Sequence, residues 1–406
     1  MPNGIRVLLH KTRSVIVSMD IKQISRMRNV HLSGIRMVFE KVSRLEQQGK
    51  DIIHMEIGRP DFDTPTPIKA ATKQALDDGF VHYTASAGIL ELREALSKKL
   101  RKDNRIELNP EEIIITAGAS EAIFTCIMAF LEPNDQVLIP EPMYVYYQDW
   151  PEFAGATTVP VPLKKDFQLD LAAIKQAITD RTKMIILNTP HNPTGSVFKR
   201  EILSELASLV RRHDLLVLSD EVYESLTYDD TKHVSIGSLP GMRQRTLTVN
   251  SFSKTYSMTG WRLGYVAAPK ELIEPLLKTR QHTSSCPCSF VQKGALIAIN
   301  NCQSHVKEMV KEFNRRRELV IERLREMDKF EFVEPKGAFY VFPSIEKLGM
   351  DGKQLANYLL EEAGVATVPG EAFGKSGKNH IRIAYSTGYE ELEEGLHRIR
   401  QSLQGL

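Results

Sequence analysis

One lysine lies among hydroxyl side chains at residues 251–264, Ser-Phe-Ser-Lys-Thr-Tyr-Ser-Met-Thr-Gly-Trp-Arg-Leu-Gly. The stretch follows a strand-like run at 246–249, so it lies where an open α/β sheet presents ligand-contacting loops. A lysine there can form a Schiff base with a carbonyl, while hydroxyls and Arg262 can bind a phosphate. Pyridoxal 5'-phosphate carries both an aldehyde and a phosphate. Taken alone, Lys254 would be better interpreted as a solvated loop lysine, and the surrounding sequence reverses that interpretation.

Short apolar runs alternate with helical stretches along most of the chain. The runs are 113–115, 137–139, 157–161, 184–187, 215–218, 246–249 and 263–266. This alternation predicts an α/β fold with a mainly parallel seven-stranded sheet sandwiched by helices. Pro160 and Pro162 place the third run at an edge of that sheet, because proline cannot donate to a strand ladder.

The composition is that of an ordinary globular enzyme, with 42% apolar and 26% charged residues. The formal net charge of +2 is spread over interspersed residues, so we expect neither nucleic acid nor a membrane surface as a partner. Four cysteines are too few for a disulfide framework, which favours a cytoplasmic location. Cys286 and Cys288 have no second ligand pair nearby in the sequence, so no metal site is predicted.

The segment around Lys254 resembles the lysine segment of the class I/II aminotransferases, the aspartate-aminotransferase-like enzymes of fold type I that use pyridoxal 5'-phosphate. Six further motifs resemble that family and stand in its order. They are Gly-Arg-Pro-Asp-Phe at 58–62, Tyr-Thr-Ala-Ser-Ala-Gly at 83–88, Thr-Ala-Gly-Ala-Ser-Glu-Ala at 116–122, Asn-Thr-Pro-His-Asn-Pro-Thr-Gly at 188–195, Ser-Asp-Glu-Val-Tyr at 219–223 and Ile-Arg-Ile at 381–383. Together the seven motifs are specific for the family, though not for its substrate.

The resemblance also implies a smaller α+β domain built from both ends of the chain. Residues 33–48 and the region after Val291 have the apolar spacing of amphipathic helices. We expect a flexible N-terminal extension at 1–20, with Met19 a second plausible start, and small-domain segments at 21–60 and 296–406. The large cofactor-binding domain is expected at 61–295.

Gly118, Ala119 and Ser120 lie between a strand and a helical run, where free backbone N–H groups form an anion site. With Ser251, Ser253 and Arg262 they are predicted to hold the cofactor phosphate. An ordinary capped helix explains the glycine-containing turn equally well when it is considered alone.

Asp220 ends a buried-looking strand, where a carboxylate needs a cationic partner such as a pyridinium nitrogen. The resemblance gives Tyr223 and Asn192 contacts with the phenolic oxygen of the cofactor, and places Tyr144 against its ring. Tyr146 and Tyr147 are nearby in the sequence. We therefore predict Lys254, Asp220 and Tyr223 as the catalytic residues.

Arg382 matches the family's clamp for the substrate α-carboxylate, which Gly58 and Asn192 would complete. Arg59 either meets a distal carboxylate of the substrate or points to solvent. Tyr83 matches a tyrosine that reaches the phosphate of the neighbouring subunit's cofactor, which implies a homodimer with shared active sites.

The expected reaction is transfer of the α-amino group of an L-amino acid to a 2-oxo acid such as 2-oxoglutarate, by a ping-pong Schiff-base mechanism. One subgroup has a lysine where this chain has Ser120, so aspartate, aromatic and aliphatic amino acids all remain candidate substrates. The alternatives are another reaction of the same cofactor, by a β- or γ-lyase, a synthase that uses S-adenosylmethionine or an oxidase, and a binding protein that has kept the site.

Overall fold

The computed structural model describes residues 25–28 and 30–404, so the predicted extension at 1–20 lies outside the described residues. The strands are β1 Ile53–His54, β2 Ile113–Thr116, β3 Gln136–Glu141, β4 Thr157–Pro162, β5 Thr182–Asn188, β6 Leu216–Asp220, β7 Thr246–Ser251, β8 Gly264–Ala267, β9 Tyr340–Val341, β10 Val365–Ala366, β11 Val368–Pro369 and β12 Ile381–Ala384. The α-helices are α1 Gly34–Gln47, α2 Thr66–Asp77, α3 Leu90–Lys99, α4 Ala119–Phe130, α5 Val145–Phe153, α6 Leu171–Ala177, α7 Arg200–Arg212, α8 Phe252–Thr255, α9 Lys270–Gln281, α10 Ser289–Asn301, α11 Gln303–Arg325, α12 Gly352–Glu362 and α13 Tyr389–Leu403.

The predicted seven-stranded sheet is confirmed, and its strand order is β2-β8-β7-β6-β5-β3-β4. Neighbouring strands are parallel except that β8 runs antiparallel to both β2 and β7. The central strands are buried on both faces, as the continuous apolar runs predict. The proline-containing strand β4 is an edge strand, also as predicted.

The register of the central strands brings polar residues to one edge of the sheet. Asn188 at the end of β5 pairs with Asp220 at the end of β6, and Asp220 pairs with Val249 in β7. Strand β7 continues to Ser251, which caps α8 and so introduces Lys254. The amide of Asn188, the carboxylate of Asp220 and the hydroxyl of Ser251 thus lie at the same edge of the sheet, and the amine of Lys254 follows directly after it.

Both ends of the described chain contribute to a second region. Strand β1 pairs in parallel with β10, and β11, β12 and β9 form an antiparallel sheet. Helix α1 begins after Ser33, whose side chain accepts a hydrogen bond from the backbone N–H of Arg36. The amphipathic helical region predicted after Val291 consists of two helices, α10 and α11, which meet at Cys302. The exact domain boundaries stay a prediction.

Candidate active site

A cavity of about 590 Å³ opens at the carboxyl ends of β5, β6 and β7. It collects most of the residues that the sequence predicts for the site. Those that line it are Gly58, Ala119, Ser120, Tyr144, Asn192, Asp220, Tyr223, Ser251, Ser253, Lys254, Arg262 and Arg382. Residues as far apart in the sequence as Gly58 and Arg382 therefore share one cavity.

Lys254 lies in the single turn of α8, with its amine inside the cavity. The Ser251 hydroxyl accepts a hydrogen bond from the backbone N–H of Ser253 at 3.1 Å, which fixes the start of that turn. The Lys254 amine donates to the backbone carbonyl of Gly58. Burial lowers the pKa of Lys254 to about 8, and the nearby charges of Arg382 and Arg262 act in the same direction. A larger fraction of this amine is therefore neutral near pH 7 than in an exposed lysine.

Asp220 is 5% exposed at the end of β6. One carboxylate oxygen accepts a hydrogen bond from the hydroxyl of Tyr147, and the other accepts from the backbone N–H of Val222 at 3.2 Å. Burial raises the pKa of Asp220 to about 6, although both hydrogen bonds favour the ionised form. A cation at this position would stabilise the carboxylate further.

The N-terminus of α4 and Arg262 lie together at another part of the cavity. Gly118 precedes α4 with φ of 85°, a left-handed value that favours glycine. A Cβ atom at Gly118 would lie 2.7 Å from Nη2 of Arg262, so a larger residue would displace the guanidinium. The helix N–H groups, the guanidinium and the hydroxyls of Ser251 and Ser253 form a set of donors that can bind an anion.

Arg382 is 1% exposed and is held in one orientation. Its Nη1 donates to the side-chain oxygen of Asn192 at 3.0 Å, and its Nη2 donates to the backbone carbonyl of Glu56. Its guanidinium carbon lies 4.4 Å from the ring centre of Tyr340 and 5.0 Å from that of Phe373. Such a planar cation can bind a carboxylate through two hydrogen bonds.

Two tyrosines were not predicted for the site. Tyr147 bonds to Asp220, and Tyr340 shares a hydrogen bond of 2.8 Å with the hydroxyl of Tyr223. Tyr340 also approaches Gly58 so closely that a Cβ there would lie 2.2 Å from its hydroxyl oxygen. The aromatic run at 339–342 and the three tyrosines at 144, 146 and 147 were visible in the sequence, but their long-range partners were not.

Three predicted residues do not line the cavity. Gly118 instead packs against the guanidinium of Arg262, which does line the cavity. Arg59 is exposed beside an adjoining cavity, and its side chain has no hydrogen bond or ion pair with another described residue. Tyr83 is 90% exposed. The roles predicted for Arg59 and Tyr83 stay predictions.

Behind Asp220, the side chains of Glu221, Glu224 and His233 come close enough to resemble a metal-ligand group. Their donors and acceptors are engaged with one another and with neighbours, since Nε2 of His233 lies 2.9 Å from Glu221 and Lys99 donates to Glu224. This is the pattern of a buried hydrogen-bond network. All four cysteines are free, and no helix in the part of the chain that the structure describes has the length and apolar character needed to cross a membrane.

Comparison with known proteins gives consistent results. Residues 50–399 match the family model described as aminotransferase class I and II. The chain is 47% identical to an aspartate aminotransferase of Pyrococcus abyssi, covering 92% of this chain and 96% of the relative. It is 44% identical to aromatic-amino-acid aminotransferase 2 of Thermococcus litoralis, covering 93% of this chain and 97% of that relative. The solved structure of Thermus thermophilus aspartate aminotransferase with maleate superimposes with a TM-score of 0.90 at 37% identity. The match covers 94% of this chain and 100% of that structure's chain. The chain thus belongs to the class I and II aminotransferase family and catalyses the pyridoxal-phosphate-dependent transfer of amino groups between amino acids and 2-oxo acids.

Proposed function

We propose that the chain accepts aspartate, aromatic or aliphatic L-amino acids as donors and a 2-oxo acid such as 2-oxoglutarate as acceptor. The single observation that carries the proposal is the shared cavity of Lys254, Asp220 and Arg382, which combines a proton acceptor, a buried carboxylate and a carboxylate clamp. The similarity to both an aspartate and an aromatic-amino-acid aminotransferase supports a range of side chains.

The cavity fits pyridoxal 5'-phosphate on chemical grounds. The buried carboxylate of Asp220 has a raised pKa and can meet the protonated ring nitrogen. The N-terminus of α4, Ser251, Ser253 and Arg262 supply donors for the phosphate. We propose that Tyr144 covers the ring face and that Asn192 and Tyr223 meet the phenolic oxygen. Ser120 and Ala119 contribute small side chains beside the phosphate.

When bound, the cofactor supplies an aldehyde for the amino group and a ring that withdraws electrons from the substrate's Cα. We propose that the Lys254 amine removes the proton from that Cα, and the pKa of about 8 makes the neutral amine available for this step. Arg382 binds the α-carboxylate with Asn192 and the backbone N–H of Gly58, which orients the Cα–H bond. Asp220 keeps the ring nitrogen protonated. Tyr147 in turn holds Asp220 ionised.

We also propose a homodimer in which Tyr83 reaches the partner's cofactor phosphate. Tyr83 is 90% exposed, and Val81 and Leu90 are exposed apolar residues in the same part of the sequence, at 53% and 47%. A partner subunit would bury these side chains and give the tyrosine hydroxyl an acceptor. A cytoplasmic location stays a prediction, and the four free cysteines agree with a reducing compartment.

A panel of amino acids tests the substrate proposal directly. Purified protein loaded with pyridoxal 5'-phosphate is mixed with each amino acid, and pyridoxamine phosphate is followed at about 330 nm. We expect its formation with aspartate, glutamate and at least one aromatic or aliphatic amino acid. Release of ammonia, or of hydrogen peroxide, without pyridoxamine phosphate would instead indicate a lyase or an oxidase. The named relatives are aminotransferases, so the comparisons give no support to those alternatives.

A further inference from the structure

Arg36 is the one cation in the wall of the active-site cavity, among the described residues, to which the proposed reaction gives no role. The cavity is lined by four cationic side chains, Arg36, Lys254, Arg262 and Arg382. The last three are assigned above to the substrate's Cα proton, the cofactor phosphate and the substrate's α-carboxylate. Arg36 is exposed, and its guanidinium has no hydrogen bond or ion pair with any other described side chain.

The position of Arg36 is fixed by the residues that precede it. Asp149 in α5 binds His31 twice, through the backbone N–H at 3.2 Å and ring Nδ1 at 3.0 Å. Ser33 then caps α1, and Gly34 packs so tightly on the short helical segment Gly370–Phe373 that a Cβ would lie 2.9 Å from Cβ of Ala372. The first turn of α1 is therefore held in place by α5 and by the segment Gly370–Phe373.

The neighbours of Arg36 connect it to the α-carboxylate clamp. Ile35 packs in a cluster with Phe373 and Tyr144, and the ring of Phe373 lies against the guanidinium of Arg382. Phe39, one turn further along α1, also lines the cavity. A substrate whose α-carboxylate binds Arg382 therefore extends its side chain into a cavity that has Arg36 in its wall.

A cation in the first turn of a helix is electrostatically unfavourable, because the helix N-terminus already carries partial positive charge. The first turn of α1 contains Arg36 and no acidic residue. A bound carboxylate would be attracted by both the guanidinium and the helix end, so an anionic ligand turns an unfavourable arrangement into a favourable one.

We propose that Arg36 binds the distal carboxylate of dicarboxylic substrates. It would thus provide the positive charge that a lysine provides in the subgroup where this chain has Ser120. This inference rests on the proposed function, and it assigns to Arg36 one of the two roles considered for Arg59. The same wall contains apolar surface, with the rings of Tyr146 and Trp150 stacked at 5.5 Å. An exposed arginine can turn toward solvent when the substrate side chain is aromatic, and the rings then offer an apolar contact, so one cavity can accept both classes.

The test compares Arg36→Ala, Arg36→Lys and Arg59→Ala in the dimeric, cofactor-loaded protein. Single-turnover half-reactions give kcat/KM for aspartate, glutamate, phenylalanine and alanine, and dissociation constants are measured for succinate and 3-phenylpropanoate. We expect Arg36→Ala to lower kcat/KM for the two dicarboxylic amino acids roughly 10- to 100-fold, mainly through KM. Succinate should bind more weakly by a similar factor. Phenylalanine, alanine and 3-phenylpropanoate should change less than about twofold, and Arg36→Lys should lose less than Arg36→Ala.

Arg44→Ala is the matched control, because Arg44 is an exposed arginine of α1 that bonds to the backbone carbonyl of Glu40 and lies outside the cavity. The proposal is overturned by an equal loss for all substrates, by no loss, or by a selective loss in Arg59→Ala alone. It is also overturned if the unmodified protein uses phenylalanine or alanine and no dicarboxylic amino acid, which leaves amino-group transfer intact. If no amino acid in the panel reacts, the proposed function fails as well.

Discussion

Tyr147 in α5 donates its hydroxyl hydrogen to Asp220 at the end of β6, across 73 residues of sequence. This hydrogen bond lowers the pKa of Asp220, against the raising effect of burial. In Tyr147→Phe we expect a smaller ionised fraction of Asp220 and roughly tenfold slower removal of the substrate's Cα proton at pH 7. The pH below which cofactor binding weakens should rise. Stopped-flow half-reactions and cofactor titrations between pH 5 and pH 8 measure both effects.

The matched control is Tyr256→Phe, which removes another buried tyrosine hydroxyl, outside the cavity. If both variants lose activity equally, the effect of Tyr147 is on packing rather than on the charge of Asp220.

Asp220 is expected to matter more than its hydrogen-bond donor. Asp220→Asn replaces the carboxylate with an uncharged amide of the same shape, so the ring nitrogen of the cofactor loses its anionic partner. We expect the proton-abstraction step to slow on the order of 10²-fold or more. The control is Asp214→Asn, because Asp214 is an exposed carboxylate just before the other end of the same strand. Near-normal rates in Asp220→Asn would assign that carboxylate to packing alone.

Lys254→Ala should abolish turnover while the cofactor still binds without a covalent bond, through its phosphate and ring-nitrogen contacts. Borohydride reduction of the unmodified protein followed by peptide mapping should find the label on Lys254. Equilibrium dialysis of the variant measures the remaining affinity. A label on any other lysine would contradict the assignment.

Shared active sites predict that an inactive variant and an impaired variant complement each other. Lys254→Ala retains Tyr83, and Tyr83→Phe retains Lys254, so a mixed dimer contains one complete site. Random exchange between equal amounts makes half of the dimers mixed, and activity should approach about a quarter of that of the unmodified protein. Activity is measured before and after unfolding and refolding the mixture. If the activity of the mixture is only the mean of the two separate variants, Tyr83 acts within its own subunit or not at all.

His54 links α1 to the region beside Arg382. Its ring bonds to Glu56 at 2.8 Å and to Glu46 of α1 at 3.0 Å. The hydrogen bond to Glu56, with further contributions from Glu46, raises the pKa of His54 to about 9, even though burial opposes this. Because the folded value exceeds the unfolded one, the stabilisation is complete below about pH 6.5 and is lost as the pH rises through about 9.

We therefore expect Tm to fall by roughly 1–4 °C between pH 6 and pH 10 through this group, and the fall to shrink in His54→Gln. Thermal unfolding across that range measures it. The comparison variant is His213→Gln, which removes a histidine at the exposed end of α7. An unchanged pH dependence in His54→Gln would mean that other groups dominate.

The large sheet could be predicted because each buried strand is a continuous apolar run, such as 184–187 in β5 and 215–218 at β6. The two-residue strands β1, β10 and β11 could not, since two residues are too few to have a period. The motif residues that line the cavity could be predicted from the sequence, whereas Tyr147, Tyr340 and Arg36 could not. Their positions depend on how α5, β9 and α1 pack, and packing over long sequence separations leaves no local pattern.

The contacts of Arg382 with the rings of Tyr340 and Phe373 have a consequence for substrate stereochemistry. A guanidinium packed against two rings and bonded to Asn192 and Glu56 has little freedom to turn toward a ligand that arrives in the wrong orientation. If the substrate carboxylate binds there, as proposed, and the amino group is directed to the cofactor, the two remaining substituents on Cα have fixed directions. In one enantiomer the hydrogen faces Lys254, and in its mirror image the side chain does. We therefore expect the restricted motion of this one arginine to make the cavity select one enantiomer before any bond is broken.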